Sequence, residues 1–216
     1  MTKSLTVLAI QLTNTYADNF IFALLDGLLS SQTFTFSGTT LTSLANKLVV
    51  GSRVRFSTTG VLPTPLTPNT EYFVRTTPLA TTMTISATID GAAISLSAGS
   101  GIHSFTEQPL SAEDSIPVLV NHELSHPNYA RSNYVVGTCA ASPSTNDARS
   151  TDQFKNITVT TGNPTLSYRH ILLIRLGSLT LGNTTGDQHQ LETEPSIQAI
   201  AALTTKAILL RVMRSN

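Results

Sequence analysis

Residues 51–105 read GSRVRFSTTGVLPTPLTPNTEYFVRTTPLATTMTISATIDGAAISLSAGSGIHSF, a run of short strand signals cut by turn residues. With Thr33–Phe36 (TFTF) ahead of it, the strand-like pieces are Ser52–Ser57 (SRVRFS), Glu71–Arg75 (EYFVR), Met83–Ser86 (MTIS), Ala93–Leu96 (AISL) and Ile102–Phe105 (IHSF). Gly51, Gly60, Pro63, Pro65, Pro68-Asn69, Asp90-Gly91 and Gly99-Ser100-Gly101 separate them. Such residues supply positive φ or pre-set φ for tight turns. In the clearest piece Val54 and Phe56 share one face while Arg53 and Arg55 share the other, the period of a half-buried strand. The stretch 33–106 therefore predicts a compact antiparallel β-module with no chemistry of its own.

Several landmarks recur in order: Val54-x-Phe56, Thr59-Gly60-x-Leu62-Pro63, Thr70-x-Tyr72-Phe73-Val74, Thr84-Ile85-Ser86, Gly91-Ala92-Ala93-Ile94 and Ala98-Gly99-Ser100-Gly101. In that order they resemble a β-module found in tail, fibre and other virion proteins of bacteriophages. The resemblance implies a particle component without saying which.

Composition narrows the function classes. Charged residues make up 12 % of the 216 and the formal net charge is zero, so no basic excess marks a nucleic-acid binder. The chain holds 34 Thr and 23 Ser, and Thr suits a pleated surface because its branched Cβ packs well there. A neutral, Thr-rich chain lacks the charge that keeps a free monomer apart from its copies, which points to an oligomeric part. The single cysteine, Cys139, permits no intrachain disulfide and reads as a small buried hydrophobe. No run approaches the ~18 apolar residues of a membrane helix. The short apolar patch Leu5–Ile10 is followed by Gln11, Thr13 and Asn14 with no cleavage signature, so no secretory leader is expected and assembly in a host cytoplasm is.

Outside the module, Thr15–Ser31 (TYADNFIFALLDGLLSS) predicts an amphipathic helix, capped at Thr15 and weakened by Gly27. Residues 107–150 read as irregular, with a polar loop over Ser142–Asp152. Asn156–Thr161 (NITVTT) alternates, Tyr168–Leu176 (YRHILLIRL) reads as a strand buried on both faces, and Lys206–Arg214 (KAILLRVMR) as a terminal strand. Ser196–Thr205 fits either a helix or a strand. Leu24-Leu25-Asp26-Gly27-Leu28-Leu29, Pro127-Asn128-Tyr129-Ala130-Arg131, Tyr168-Arg169-His170-Ile171 and the closing strand together resemble a family of small phage virion β-sandwich proteins. The family's x-Gly-Tyr-Ala-Arg box has Asn128 here in place of Gly, a mild change because Asn tolerates left-handed backbone. The resemblance implies a β-sandwich split as 1–32 and 107–216, with 33–106 inserted in it.

One string points elsewhere. His122-Glu123-Leu124-Ser125-His126 is a literal H-E-x-x-H, which on a helix places two zinc ligands on one face beside a general base. Pro127 follows directly and pushes His126 out of the α region. The preceding Ile116-Pro117-Val118-Leu119-Val120 reads as a strand, and no third histidine follows. Asp187-Gln188-His189-Gln190 reads as a polar loop, and Arg211 and Arg214 as solvated charges.

The expectation is thus a mainly β chain, a sandwich with one N-terminal helix and an inserted module, that is not an enzyme. It carries no catalytic, cofactor-binding or metal site and needs no cofactor. Its function would be structural, as head cement or decoration, neck, tail or baseplate part of a phage virion. Its partners would be copies of itself and the major capsid, neck or tail proteins, without nucleic acid or membrane. Leu5–Leu12 and Lys206–Arg214 are the segments expected to pair between chains. A virion-borne glycan-binding adhesion module is the alternative, disfavoured by the lack of Trp, and a zinc hydrolase built on His122, Glu123 and His126 is the remote one.

Overall fold

The computed structural model describes residues 6–12, 19–44, 47–135, 140–141, 148–149, 153–175, 189–201 and 205–214. The chain is mainly β. Its strands are β1 (Thr6–Leu12), β2 (Asn19–Leu25), β3 (Ser31–Ser37), β4 (Thr40–Ser43), β5 (Arg53–Thr58), β6 (Glu71–Leu79), β7 (Thr82–Ser86) and β8 (His103–Glu107). After the short helix α1 (Ile116–Val120) come β9 (Ser132–Val135), β10 (Ala140–Ala141), β11 (Ala148–Arg149), β12 (Gln153–Thr158), β13 (Leu166–Arg175), β14 (His189–Ile200) and β15 (Thr205–Arg214). Two compact units divide it, Gly27–His122 and Met1–Asp26 with Glu123–Asn216.

In the first unit the order β3-β4-β7-β6-β5-β8 closes into a barrel, and every neighbouring pair is antiparallel. The period-2 pattern supplies the barrel's interior. Phe34, Leu41, Val54, Phe56, Tyr72, Val74, Met83, Ile85 and Phe105 form one buried cluster, while Arg55 and Arg75 stay exposed. Phe56 packs edge-on against both Phe34 and Tyr72, at ring separations of 5.3 and 5.6 Å. The Tyr72 hydroxyl accepts from the Thr67 N–H at 3.0 Å, which holds the loop after β5 on the barrel. That loop and the one before β8 lace together through Val61 N–H to Ser100 O, Ser100 N–H to Val61 O, and a reciprocal pair between Thr64 and Ser97. The expected strand Ala93–Leu96 is not one. Residues 91–95 carry no regular structure, and only Leu96 and Ser97 make isolated bridges, because this segment closes the laced loops instead of joining the barrel wall.

The barrel unit is wider than the 33–106 read from the sequence, since residues 107–122 are fastened to it. Arg53 Nε and Nη2 donate to the Asp114 carboxylate at 2.8 and 3.1 Å, and Nη2 also donates to Pro109 O at 2.6 Å. Burial pulls the Arg53 guanidinium pKa down, but the hydrogen bond and charge of Asp114, with Glu71 adding to them, leave it raised. Ile116–Val120, expected as a strand, is a helical turn. Pro117 sits in its first turn, where the missing N–H costs nothing, and Leu119 N–H donates to Ser115 O at 3.0 Å.

In the second unit β15 lies between β1, which runs parallel to it, and β12 and β11, which run antiparallel, with β10 beyond β11. The other sheet has the order β14-β13-β2-β9 and is antiparallel throughout. Ile157 of β12 and the adjacent Val159 share a buried cluster with Phe22, Leu24, Tyr168, Ile171 and Leu173 of the second sheet. The alternating and two-sided burial of β12 and β13 is as their sequences read, although β12 runs Gln153–Thr158 where Asn156–Thr161 was expected: Ile157 and Val159 are buried between exposed neighbours, and Ile171–Ile174 are all buried. Residues 196–200 are strand, which settles the ambiguous Ser196–Thr205 reading over that part.

The expected helix Thr15–Ser31 is corrected. Residues 15–18 lie outside the described residues, Asn19–Leu25 is the strand β2, and 26–30 carry no regular structure. The cause is burial from both sides. Ile21–Leu25 are each at most 2 % exposed, and the strand is paired by β13 along Phe20–Leu25 and by β9 along Asn19–Phe22. A strand covered on both faces shows a continuous apolar run, which reads the same as the stripe of a helix. Gly27, which the helix would have placed in its interior, has φ +68° and ends the strand. Cys139, Arg211, Arg214 and Asp187-Gln188 have side chains or placements outside the described residues, while His189-Gln190, expected in a loop, begin β14.

Candidate functional site around His122–His126

The H-E-x-x-H segment is not helical, so its two histidines do not share a helix face. His122, Glu123 and His126 each go to a different structural task. His122, the last residue of the barrel unit, has Nε2 3.0 Å from Glu107 Oε1, with the two side chains 0 and 2 % exposed. Glu107 Oε2 accepts from the Ser30 N–H at 3.0 Å, and the Glu107 N–H donates to Ser30 O at 2.8 Å. One carboxylate thus joins the segment before the barrel's first strand, the end of its last strand and the closing residue of the unit. Burying it is tolerable because both oxygens are hydrogen-bonded.

Glu123 belongs to the other unit. Its backbone bridges Leu25 of β2, and its carboxylate accepts from Arg131 Nε at 3.0 and 2.9 Å, from Arg131 Nη2, and from the Tyr129 hydroxyl at 2.8 Å. The Tyr129 hydroxyl in turn accepts from the Leu24 N–H at 2.9 Å. Burial pushes the Tyr129 hydroxyl pKa well above the ordinary tyrosine value, and Glu123 adds to that against the opposing Leu24 N–H. The hydrogen bond to Glu123 raises the Arg131 guanidinium pKa against the pull of burial. With a bidentate guanidinium and a phenol on it, the Glu123 carboxylate is already engaged and is poorly placed as a general base.

His126 is engaged at both nitrogens. A carbonyl can only accept, so Nε2 donates to Pro164 O at 2.9 Å, and Nδ1 accepts from the Asn128 N–H at 3.1 Å. A metal needs a ring nitrogen's lone pair, and neither is free while these bonds stand. Among the described residues no group of three or more His, Cys, Asp or Glu side chains is placed to hold a metal ion.

The sequence picked out the five residues but not their partners. Glu107 lies 15 residues away from His122 in the chain, and nothing in its own neighbourhood marks it. Tyr129 and Arg131 did carry a signal, as members of the resembled Tyr-Ala-Arg box, and their geometry gives that box a physical role in fixing Glu123 and β2. Elsewhere the barrel surface has open concavities. One of about 660 Å³ is lined by Phe36, Thr42, Ser43, Leu44, Ile102 and His103. Another of about 630 Å³ is lined by Phe56, Thr58, Val61, Leu62, Leu66 and Pro68 among others. No helix of the described residues is long and apolar enough to cross a membrane. Compared with protein-family models, curated proteins and solved structures, the chain matches none.

Proposed function

We propose that this chain is a non-enzymatic structural subunit of a bacteriophage particle, a head cement or decoration protein or a neck, tail or baseplate part. It would act by packing β-surface against copies of itself and against neighbouring capsid, neck or tail proteins, with no nucleic acid or membrane as partner. Its frame would be a β-sandwich built from the two sheets that share Phe22, Leu24, Ile157 and Tyr168, carrying the barrel as an insertion.

The observation that carries the reading is how the barrel uses the landmarks that resemble the virion module. Val54, Phe56, Tyr72, Val74 and Ile85 are its inward residues, and Gly60 and Ser100-Gly101 are the points where its laced loops touch. The surface adds support: Leu44, Val61, Leu79, Ile89 and Ile102 are all above 60 % exposed in a chain with 12 % charge. Scattered exposed apolar residues are ordinary, but so many with so little charge around them suit a surface covered in an assembly. The zinc hydrolase reading loses its geometric basis in the partners of Glu123 and His126.

The test is quantitative mass spectrometry of density-purified particles of the phage that encodes the chain. A fixed stoichiometry to the major capsid protein is expected. Absence from particles while the chain is abundant in the lysate would refute the proposal.

A further inference from the structure

An open strand edge recognises one kind of partner, another strand, because it presents a row of backbone N–H and C=O groups. The barrel has no edge. In the second unit the end strands differ in how they are protected. β14 (HQLETEPSIQAI) carries Glu192, Glu194 and Pro195, β12 (QFKNIT) carries Lys155, β9 has four residues and β10 two. Charge, proline and brevity are the usual means of blunting an edge. β1 (TVLAIQL) has none of them: seven residues, no charge, no proline, with β15 on one side and no strand on the other among the described residues.

We infer that the outer edge of β1 is a self-association edge, taking the β1 strand of a second copy in antiparallel register about Ala9. This deepens the structural-subunit reading above and rests on it. A second copy fits because the strand matches itself. In that register Ala9 faces Ala9, Leu8 faces Ile10, Val7 faces Gln11 and Thr6 faces Leu12, so no like charges meet, whereas two β14 edges would set glutamates close to each other. The pairing is isologous and closes on a twofold axis, and it joins two five-stranded sheets into one continuous sheet. It also revises which segment pairs between chains. Lys206–Arg214 is occupied on both sides within its own chain, by β1 and by β12 and β11, so among the described residues β1 alone of the two expected segments is left to pair outward.

Site-specific cross-linking tests this. In a full-length Cys139→Ser background, Ala9→Cys places two thiols directly opposite each other, about 4.5–5.5 Å apart between Cα atoms. Thr6→Cys places them about 20 Å apart. A covalent dimer from Ala9→Cys under mild oxidation, and little from Thr6→Cys, is expected. Equal linking at both positions, or an oligomer that never links at Ala9, would overturn the inference while leaving the particle reading to the mass-spectrometric test. Should Ala9→Cys fail to fold, amide exchange on the unaltered chain decides. Protection over residues 6–12 that rises with protein concentration is expected, and protection independent of concentration would overturn the pairing.

Discussion

Glu107 and His122 face each other with their side chains almost wholly removed from water, and the energetics of that pair are lopsided. Removing one partner takes a buried hydrogen bond from the other, at a cost of about 1–3 kcal/mol. Glu107→Leu also strips the Ser30 N–H of its acceptor, so urea denaturation should show a loss of about 2 kcal/mol or more, and a loss below about 1 kcal/mol would mean the pair does not hold the unit's ends. Tyr129 gives a pH signature. Its folded-state pKa is raised, so the folded state holds the proton more tightly than the unfolded chain. The stability this adds is complete below the unfolded value of about 10 and is lost as pH rises above it. Wild type should therefore lose more stability than Tyr129→Phe between about pH 9 and 11.5, with both followed by thermal denaturation across that range. Equal losses would contradict the half-buried donor. Of these partners only Tyr129 and Arg131 lay in a stretch the sequence singled out; Glu107 and Pro164, 15 and 38 residues from the histidines they meet, were fixed by the fold alone.

At the scale of elements, Gly27 separates the strand from the helix it resembles. Inside a helix, Gly27→Ala would stabilise by about 1 kcal/mol. At φ +68° it should instead destabilise by about 1–2 kcal/mol, and a rise in Tm would restore the helix. Gly101 makes a sharper case in the barrel. It has φ +83°, and an added Cβ would meet Gly60 N at 2.6 Å, so Gly101→Ala should unlace the loops and lower Tm by several degrees. An unchanged Tm would mean the loops do not pack as described. Five of the six barrel strands were legible because each buries one face and so keeps a period of two, whereas the four-residue β4 (Thr40–Ser43) went unread. β2 was not, because burial on both faces erases that period, and α1 was not, because five apolar residues are too few to show any.

For the molecule as a whole, the two units solve the edge problem differently: one closes every strand into a barrel, the other ends in strands of uneven protection. The β class could be read from patterning and turn residues. The wider bounds of the barrel unit could not, because they depend on Arg53 reaching Asp114 61 residues on. The proposed function is that this chain works by joining other chains through β-surface. Light scattering on the purified full-length chain over a range of concentrations tests it most directly. A stable species at an even multiple of the 23.0 kDa chain mass is the predicted result. A monomer that persists at every concentration would contradict it.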